Sequence, residues 1–277
     1  MWGKSAIFAH QFFFDMKRRV LVFLSLATAV AGLALGGCKQ SSPCVFKAIV
    51  EELPGDIVTP PLDMEQPLAL WDDGLALSQC AITAMNEGLY TIERADSTLL
   101  SGVARMVYPA MAAVEAEYVR LDTLQRSLPM GEGMVRYGET TMEEPNKVVL
   151  KAVSGMLLLD LTTDVPLKSV TLSTDDSNRF MTGLFSVTNY PFPVLTATDE
   201  SCRHLTLTGL EGIAFDEGGE VCCYLAPGCY KTFTVLLTAI DGRSCTKSLK
   251  EDKEVVVDRN RVVTIHLGST EESLVFE

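Results

Sequence analysis

Strict alternation of apolar and polar residues constrains the fold of this chain more than any other feature. In the segment 231–240, Phe233, Val235 and Leu237 occupy every second position. This period places side chains alternately on the two faces of a β-strand, with one face in a core. Asp241-Gly242 follows as a hairpin turn signal, after which the chain returns. The pattern predicts a β-hairpin.

Short segments of the same kind recur, and turn residues separate them. In the second half we predict strands at 148–150, 156–161, 168–172, 181–187, 204–208, 231–240, 243–249, 255–257 and 262–267. Many short strands with frequent turns close most economically as a two-sheet sandwich, so the fold class is mainly β. Residues 111–128 keep no clean helical face, and their secondary structure stays open.

Residues 16–38 have the organisation of a lipoprotein export signal. Lys17-Arg18-Arg19 is a cationic start, an apolar run follows, and Leu35-Gly36-Gly37-Cys38 places small residues before a cysteine. The apolar run is shorter than the ~20 residues that a membrane-spanning helix needs. We therefore predict a signal peptide at 1–37, with 1–15 upstream of the true start, and a lipid on Cys38. The alternative is an uncleaved anchor helix, and both alternatives display the protein outside the cytoplasm.

The charge balance limits the partners. Removing residues 1–37 takes away four positive side chains and one negative one, which moves the formal net charge from -13 to -16. A strongly acidic chain lacks the clustered cations that nucleic acid or an anionic lipid surface requires. We therefore expect no nucleic-acid partner, and attachment to the outer membrane through the N-terminal lipid alone.

Composition shifts suggest where the chain divides. Pro54-Gly55 and Pro60-Pro61 favour turning or extended backbone near the mature N-terminus. With 47% hydrophobic residues, the rest can bury one large or two small cores. We predict a lipid-tethered linker or edge strand at 38–61, an N-terminal β-rich domain at 62–145, a C-terminal β-sandwich domain at 146–268 and a tail at 269–277.

A search for catalytic chemistry finds no motif. The mature chain keeps only His204 and His266, and each alternates with threonines on the polar side of its strand, so we expect both to be exposed. No zinc-protease motif, nucleophile elbow, phosphate loop or dinucleotide fingerprint is present. We expect no enzymatic activity, no catalytic residues and no cofactor.

Cysteines and acidic turns are weak candidates for metal sites. Apart from Cys38 there are seven cysteines, and no two-plus-two spacing surrounds Cys222-Cys223, so buried thiols with at most one disulfide are favoured over zinc. Adjacent residues of a strand point to opposite faces, so these two thiols should not pair with each other. The acidic turns lack alternating oxygen ligands, and we expect no metal at Asp72-Asp73, Asp175-Asp176 or Asp216-Glu217.

The order of the motifs resembles a known family, the fimbrillin-like lipoproteins of the Bacteroidales. The resemblance covers about residues 105–268 well and 45–104 poorly. Each motif is one strand plus one turn, and only their order and spacing are specific. The motifs are the lipobox, MVYP (106–109), LPM (128–130), NKVVLKAVSGMLLLDLT (146–162), LKSVTLS (167–173), FMTGLFSV with Gly183, HLTLTG (204–209), CYLAPGCYKTFTVLLTAIDG (223–242) and VVVDRNRVVTIHL.

The resemblance implies two transthyretin-like β-sandwich domains in tandem. It also implies an outer-membrane or cell-surface lipoprotein whose partners are other fimbrial subunits, joined by β-strand addition, in which an extended segment completes an open sheet edge. Family shaft subunits are trimmed after an arginine near the mature N-terminus. The first arginine after the lipid site here is Arg94. This favours an anchor or accessory subunit, or a fimbrillin-like protein that does not polymerise, although processing after Arg94 stays open. The tail could supply an intermolecular strand or be disordered.

Two further expectations remain. Ser97 and Thr123 fit a loose acidic-hydroxyl-apolar pattern of O-glycosylation associated with this bacterial phylum. The alternative function is a surface-exposed ligand- or glycan-binding lipoprotein on the same scaffold, since a fold does not fix a function. Sugar platforms normally present several exposed aromatic rings, yet Trp71 is the only tryptophan after residue 37. The loop 190–193 is the one aromatic loop that the sequence suggests is exposed, and packing at the end of a sandwich explains it equally well.

Overall fold

The alternating segments form strands throughout the computed structural model, which describes residues 44–94, 100–141, 143–145, 147–189, 191–249, 254–268 and 274–276. These residues form 21 strands and a 3₁₀ helix at Ala110–Ala112. The strands are β1 (Cys44–Val50), β2 (Leu68–Trp71), β3 (Ser78–Asn86), β4 (Leu89–Arg94), β5 (Val103–Tyr108), β6 (Ala113–Glu115), β7 (Tyr118–Leu121), β8 (Leu124–Arg126), β9 (Arg136–Thr141), β10 (Val148–Ala152), β11 (Gly155–Thr163), β12 (Leu167–Ser173), β13 (Thr182–Asn189), β14 (Pro193–Cys202), β15 (His204–Thr208), β16 (Phe215–Leu225), β17 (Gly228–Tyr230), β18 (Phe233–Ala239), β19 (Ser244–Leu249), β20 (Val255–Val257) and β21 (Val262–Leu267). The prediction of a mainly β fold is confirmed.

Seven strands form a sheet that closes on itself, which we call the ring sheet. Its order is β1-β10-β9-β5-β2-β3-β4, and β4 pairs with β1 again. Leu68 and Leu70 of β2 point into the ring and pack with Phe46, whereas Ala69 and Trp71 belong to a second cluster on its outer side. All four residues of β2 are buried because both faces of this strand are covered.

The second half contains the predicted sandwich. A five-stranded sheet, β19-β18-β12-β15-β8, and a three-stranded sheet, β16-β11-β21, contribute side chains to one core. Leu172, Leu205 and Leu237 come from the first sheet, and Leu159 and Val221 come from the second. The predicted hairpin is confirmed as β18 and β19.

A four-stranded sheet, β14-β13-β7-β6, covers the outer side of the ring sheet. Val119 of β7 and Phe185 of β13 pack in the same cluster as Trp71 and Tyr137 of the ring sheet. Gly183 lies where the β13–β14 register shifts, at a φ of +94°, and a Cβ there would lie 2.4 Å from the Glu200 carbonyl oxygen. Glycine is therefore required at this bulge.

Three segments that the sequence left open have defined positions in the structure. Residues 44–50, predicted as linker or edge strand, are a strand paired on both sides, because Phe46 and Ala48 fill the ring core. Segment 111–128, whose secondary structure the sequence left undecided, forms β6, β7 and β8. Strand β6 pairs with β7, β7 also pairs with β13, and β8 pairs with β15. In the tail, Leu274 and Phe276 pack against the sandwich core.

The predicted boundary between 145 and 146 is crossed by pairing in both directions. Strand β10 joins the ring sheet, and β7 and β8 pair with β13 and β15. The division into tandem domains at 62–145 and 146–268 therefore stays a prediction. Among the described residues, no helix is long and apolar enough to cross a membrane.

Candidate functional site

The first strand occupies a space between β4 and β10, which we call the β1 seat. It pairs antiparallel with β4, where Phe46 opposes Ile92, and parallel with β10, where Ala48 opposes Val148. Phe46 and Ala48 are fully buried, whereas Val45 and Ile49 on the opposite face are partly exposed. One strand thus supplies both backbone pairing and side-chain filling to the seat.

The backbone after β1 is held by side chains from the turn between β20 and β21. The Arg259 guanidinium donates to both carboxylate oxygens of Glu51, at 2.5 and 2.8 Å. Asn260 Nδ2 donates to the Glu52 carbonyl oxygen at 2.9 Å. The amide of Ala152, at the end of β10, donates to the same Glu51 carboxylate at 3.1 Å. We call Glu51, Glu52, Arg259 and Asn260 the clamp.

Arg259 is itself positioned from several sides. Its Nη1 also donates to the Ala152 carbonyl oxygen at 3.1 Å, and its Cζ lies 4.7 Å from the centre of the Phe192 ring. Lys151 Nζ lies over the same ring at 5.1 Å. The predicted aromatic loop therefore presents Phe192 to cations of its own chain, a geometry that favours a cation–π contact.

The predicted modification sites lie in different settings. Arg94 ends β4, is buried at 7% exposure, and lies opposite Cys44 of β1 and Cys80 of β3. Cleavage after Arg94 would separate β1 to β4 together, not a single strand. Thr123 is partly exposed between β7 and β8, and its carbonyl oxygen accepts from the Thr206 amide at 2.7 Å. Cys38 and Ser97 lie outside the described residues.

The histidine and tryptophan expectations have separate outcomes. His204 and His266 are exposed as predicted, and His266 Nδ1 lies 2.7 Å from an Asp160 carboxylate oxygen on the adjacent strand. Trp71 is 0% exposed and packs 6.0 Å from the Tyr137 ring, so it is not an exposed platform for a sugar. The only tryptophan after residue 37 is therefore packed in the core.

Acidic turns tie loops together. The Asp72 carboxylate accepts from the amides of Ser101 and Gly74, at 2.7 and 2.9 Å, and these bonds lower the pKa of Asp72. Asp73 pairs with Arg105 at 2.9 Å. In the part of the chain that the structure describes, no three His, Cys, Asp or Glu side chains are grouped to hold a metal ion.

Two neighbouring cavities lie between the loop 51–67 and the loop before β9. Their volumes are about 350 and 480 Å³, and Gln66, Pro109, Leu128 and Gly133 line both. Arg136 lines the larger cavity at 2% exposure, and its Nη2 has no hydrogen-bond partner among the described residues. Burial lowers the pKa of Arg136, and the nearby Glu51 carboxylate opposes that effect.

Sequence reasoning missed the β1 seat and the clamp. The alternation of Phe46 and Ala48 with Val45 and Lys47 was an available signal for a strand, but adjacent apolar residues obscured its period. The partners Glu51 and Arg259 are 208 residues apart, and no local pattern connects them.

No protein-family model matches this chain, and no curated protein matches it. Several solved structures are similar in fold at low identity. A fimbrial assembly protein from Parabacteroides distasonis is 11% identical, with a TM-score of 0.43, over 85% of this chain and 99% of that one. The tip fimbrial protein from Porphyromonas gingivalis, solved with a C-terminal truncation, is 12% identical, with a TM-score of 0.36, over 84% and 98%. A fimbrial protein from Bacteroides ovatus is 12% identical, with a TM-score of 0.37, over 82% and 49%. By their descriptions these three are fimbrial proteins.

Proposed function

We propose that this chain is a fimbria-associated structural subunit of the cell surface, held at the outer membrane by a lipid on Cys38. It acts as an anchor or accessory subunit and joins other subunits by β-strand addition. The observation that carries the proposal is the β1 seat, in which a strand near the lipid site completes a sheet between two others.

The seat has the properties that strand addition requires. An incoming extended segment would satisfy the inward-facing backbone groups of β4 and β10, and alternate apolar side chains would replace Phe46 and Ala48 in the ring core. A seat without any strand would leave backbone groups unpaired and apolar side chains in water, which is costly. Exchange with a strand of another molecule avoids that cost.

The lipid anchor is supported by the order of features along the sequence. Cys38 lies shortly before β1, so a lipid there would attach to the segment that enters the seat. Several acyl chains on one cysteine would hold a strongly acidic protein at a membrane that its charge does not attract. If β1 leaves the seat without cleavage, the lipid stays on the chain, so an anchor that exchanges strands needs no processing after Arg94.

The test is mass spectrometry of filaments sheared from cells that express the protein. We expect the chain in the filament fraction with an acylated Cys38, and release of the Cys38→Ser variant from the membrane. A new N-terminus after Arg94 would contradict the anchor role. Absence of the chain from filaments would overturn the fimbrial proposal.

A second candidate function is the binding of a small ligand. It is favoured by the two cavities and by Nη2 of buried Arg136, which has no hydrogen-bond partner in the part of the chain that the structure describes. Buried charges in proteins are normally paired, so an acidic group is the ligand chemistry that this site would accept. Screening wild type and Arg136→Met against acidic and neutral sugars tests it. Equal or absent binding by both proteins would remove this candidate.

A further inference from the structure

The clamp acts on the two residues that directly follow the first strand. Glu51 is bound through its side chain by Arg259, and Glu52 is bound through its carbonyl oxygen by Asn260. The Glu51 amide also donates to the Leu150 carbonyl oxygen of β10 at 3.0 Å. These three contacts, two of which come from the β20–β21 turn, hold the C-terminal end of β1. The Ala152 amide, which donates to the Glu51 carboxylate, and Arg136 Nη1, which lies 3.5 Å from the Glu51 carbonyl oxygen, add to them.

That turn is itself constrained. The amide of Asn260 donates to the Ser154 carbonyl oxygen at 2.9 Å, and the amide of Arg261 donates to the Asp258 carbonyl oxygen at 3.2 Å. Asn260 has a φ of +52°, a conformation that asparagine adopts more readily than most residues. The turn thus presents Arg259 and Asn260 to residues 51 and 52 from a fixed backbone.

The ion pair in the clamp is of the kind that contributes to stability. The side chains of Arg259 and Glu51 are 17% and 20% exposed, and the contact is bidentate. Removing one partner of such a pair leaves a poorly solvated charge. The Arg243–Asp241 pair in the β18–β19 hairpin is about half exposed on each side, and pairs of that type contribute little.

The outward face of β1 is partly open to solvent. Val45 and Ile49 are partly exposed, and Lys47 Nζ donates to the Thr91 hydroxyl at 2.5 Å. Retention of the strand therefore depends on its backbone pairing, on Phe46 and Ala48 inside the ring, and on the contacts after Val50. Within the clamp, only the Arg259–Glu51 ion pair requires an acidic side chain from a replacing strand, because Asn260 binds a backbone carbonyl oxygen that any strand would supply.

We propose that the clamp controls whether β1 leaves its seat. While Arg259 and Asn260 hold Glu51 and Glu52, the chain keeps its own first strand; when they release it, the seat opens to a strand of another molecule. This inference rests on the proposed function in treating the seat as an assembly site. It adds that the clamp regulates the exchange of strands. It also predicts that the seat retains an incoming strand longer when a glutamate follows the last apolar residue of that strand than when the glutamate is missing.

The test is hydrogen exchange measured by mass spectrometry on the full chain in detergent. In Arg259→Met we expect the amides of residues 44–50 to exchange about tenfold faster than in wild type, with those of β12 unchanged. The matched control, Arg243→Met, removes the same charge from the exposed pair and should leave β1 unchanged. Asn260→Gly removes the bond to Glu52 without backbone strain, because glycine accepts a positive φ, and should accelerate β1 exchange by a smaller factor.

A second measurement follows the replacing strand. A fluorescent peptide with the sequence of residues 44–52 should enter Arg259→Met about tenfold faster than wild type, and a peptide with glutamine at the position of Glu51 should dissociate from wild type faster than the parent peptide. Equal β1 exchange in Arg259→Met and Arg243→Met would overturn the clamp. So would a uniform acceleration of β1 and β12, because the ion pair would then support the whole fold.

The clamp and the proposed function can fail independently of each other. Hydrogen exchange and peptide uptake need no filament, so the clamp stands if β1 is released in Arg259→Met even when the chain is missing from filaments. If the chain is present in filaments and Arg259→Met behaves as Arg243→Met does, the proposed function stands and the clamp fails.

Discussion

At the scale of single residues, adjacent cysteines show how a strand separates neighbours. Cys223 faces the sandwich core, and Cys222 lies in a different cluster with Leu53 and Met134 on the other face of β16. Both thiols are buried, and burial raises the pKa of Cys222 to about 11 and that of Cys223 well above its ordinary value. The pair belongs to two cores and forms no common site.

We predict that iodoacetamide at pH 8 modifies Cys202 in the folded protein and leaves Cys222 and Cys223 unmodified. The thiolate is the reactive species, and both buried thiols stay protonated and shielded at this pH. Mass spectrometry of tryptic peptides measures the modified fraction of each cysteine. Labelling in denaturant should reach all three, and equal labelling of Cys222 and Cys202 without denaturant would contradict the burial.

The sequence was informative for residues whose role depends on local pattern. The exposure of His204 and His266, and the opposite directions of Cys222 and Cys223, follow from the period of a strand. The burial of Trp71 and the pairing of Glu51 with Arg259 do not, because each depends on a partner that the topology brings from far along the chain.

At the scale of elements, β1 illustrates how a strand can be hidden in the sequence. Local hairpins such as β18–β19 carry their own partner and turn, so the alternation alone predicts them. Strand β1 has partners in β4 and β10, and neither is adjacent in the sequence. The segments β6 to β8 are also short and depend on distant strands, which is why residues 111–128 gave no clear period.

We predict that Phe46→Ala lowers the free energy of unfolding by about 3–5 kcal/mol, because it removes a fully buried aromatic ring from the ring core. Val45→Ala, on the exposed face of the same strand, should cost less than about 1 kcal/mol. Urea denaturation of both variants measures the difference. Similar losses for the two substitutions would show that β1 does not seat as described.

At the scale of the whole molecule, the two halves of the chain are interleaved. Strand β10 completes the ring sheet, and β7 and β8 extend sheets built by the second half. A cut at 145 would therefore leave unpaired strands on both sides. Length and composition carry no information on which strands pair, so they could not reveal the pairing across residue 145.

We predict a single cooperative unfolding transition for residues 44–277, because neither half has a complete set of strands. Calorimetry of wild type and of variants in each core tests this. Phe46→Ala in the ring core and Leu237→Ala in the sandwich core should each shift the one transition. Two transitions that respond separately would support the tandem domains at 62–145 and 146–268.

We also predict that stability falls as the pH rises above about 9. Burial raises the pKa of Cys222 from 9.0 to about 11 and raises those of Tyr137, Tyr224 and Tyr230. The folded state therefore keeps protons that the unfolded state has lost, so this stabilisation is complete below pH 9 and is lost as the pH rises through the folded values.

Urea midpoints between pH 8 and 10.5 measure this dependence. Cys222→Ala should have a shallower decline above pH 9, because one of the coupled groups is removed, and Cys202→Ala is the control at a partly exposed position. A midpoint that does not change with pH would contradict the prediction.

The parallel pairing of β1 with β10 has a consequence for biogenesis. During synthesis the first strand emerges before the segment 148–152 that must flank it, so the ring sheet can close only after more than half of the chain is available. Until then the edge of β1 that pairs with β10 is bare, and the nascent molecule is receptive to any extended peptide of suitable pattern. A chaperone that shields this edge would therefore keep the newborn chain from pairing with another peptide before β10 arrives.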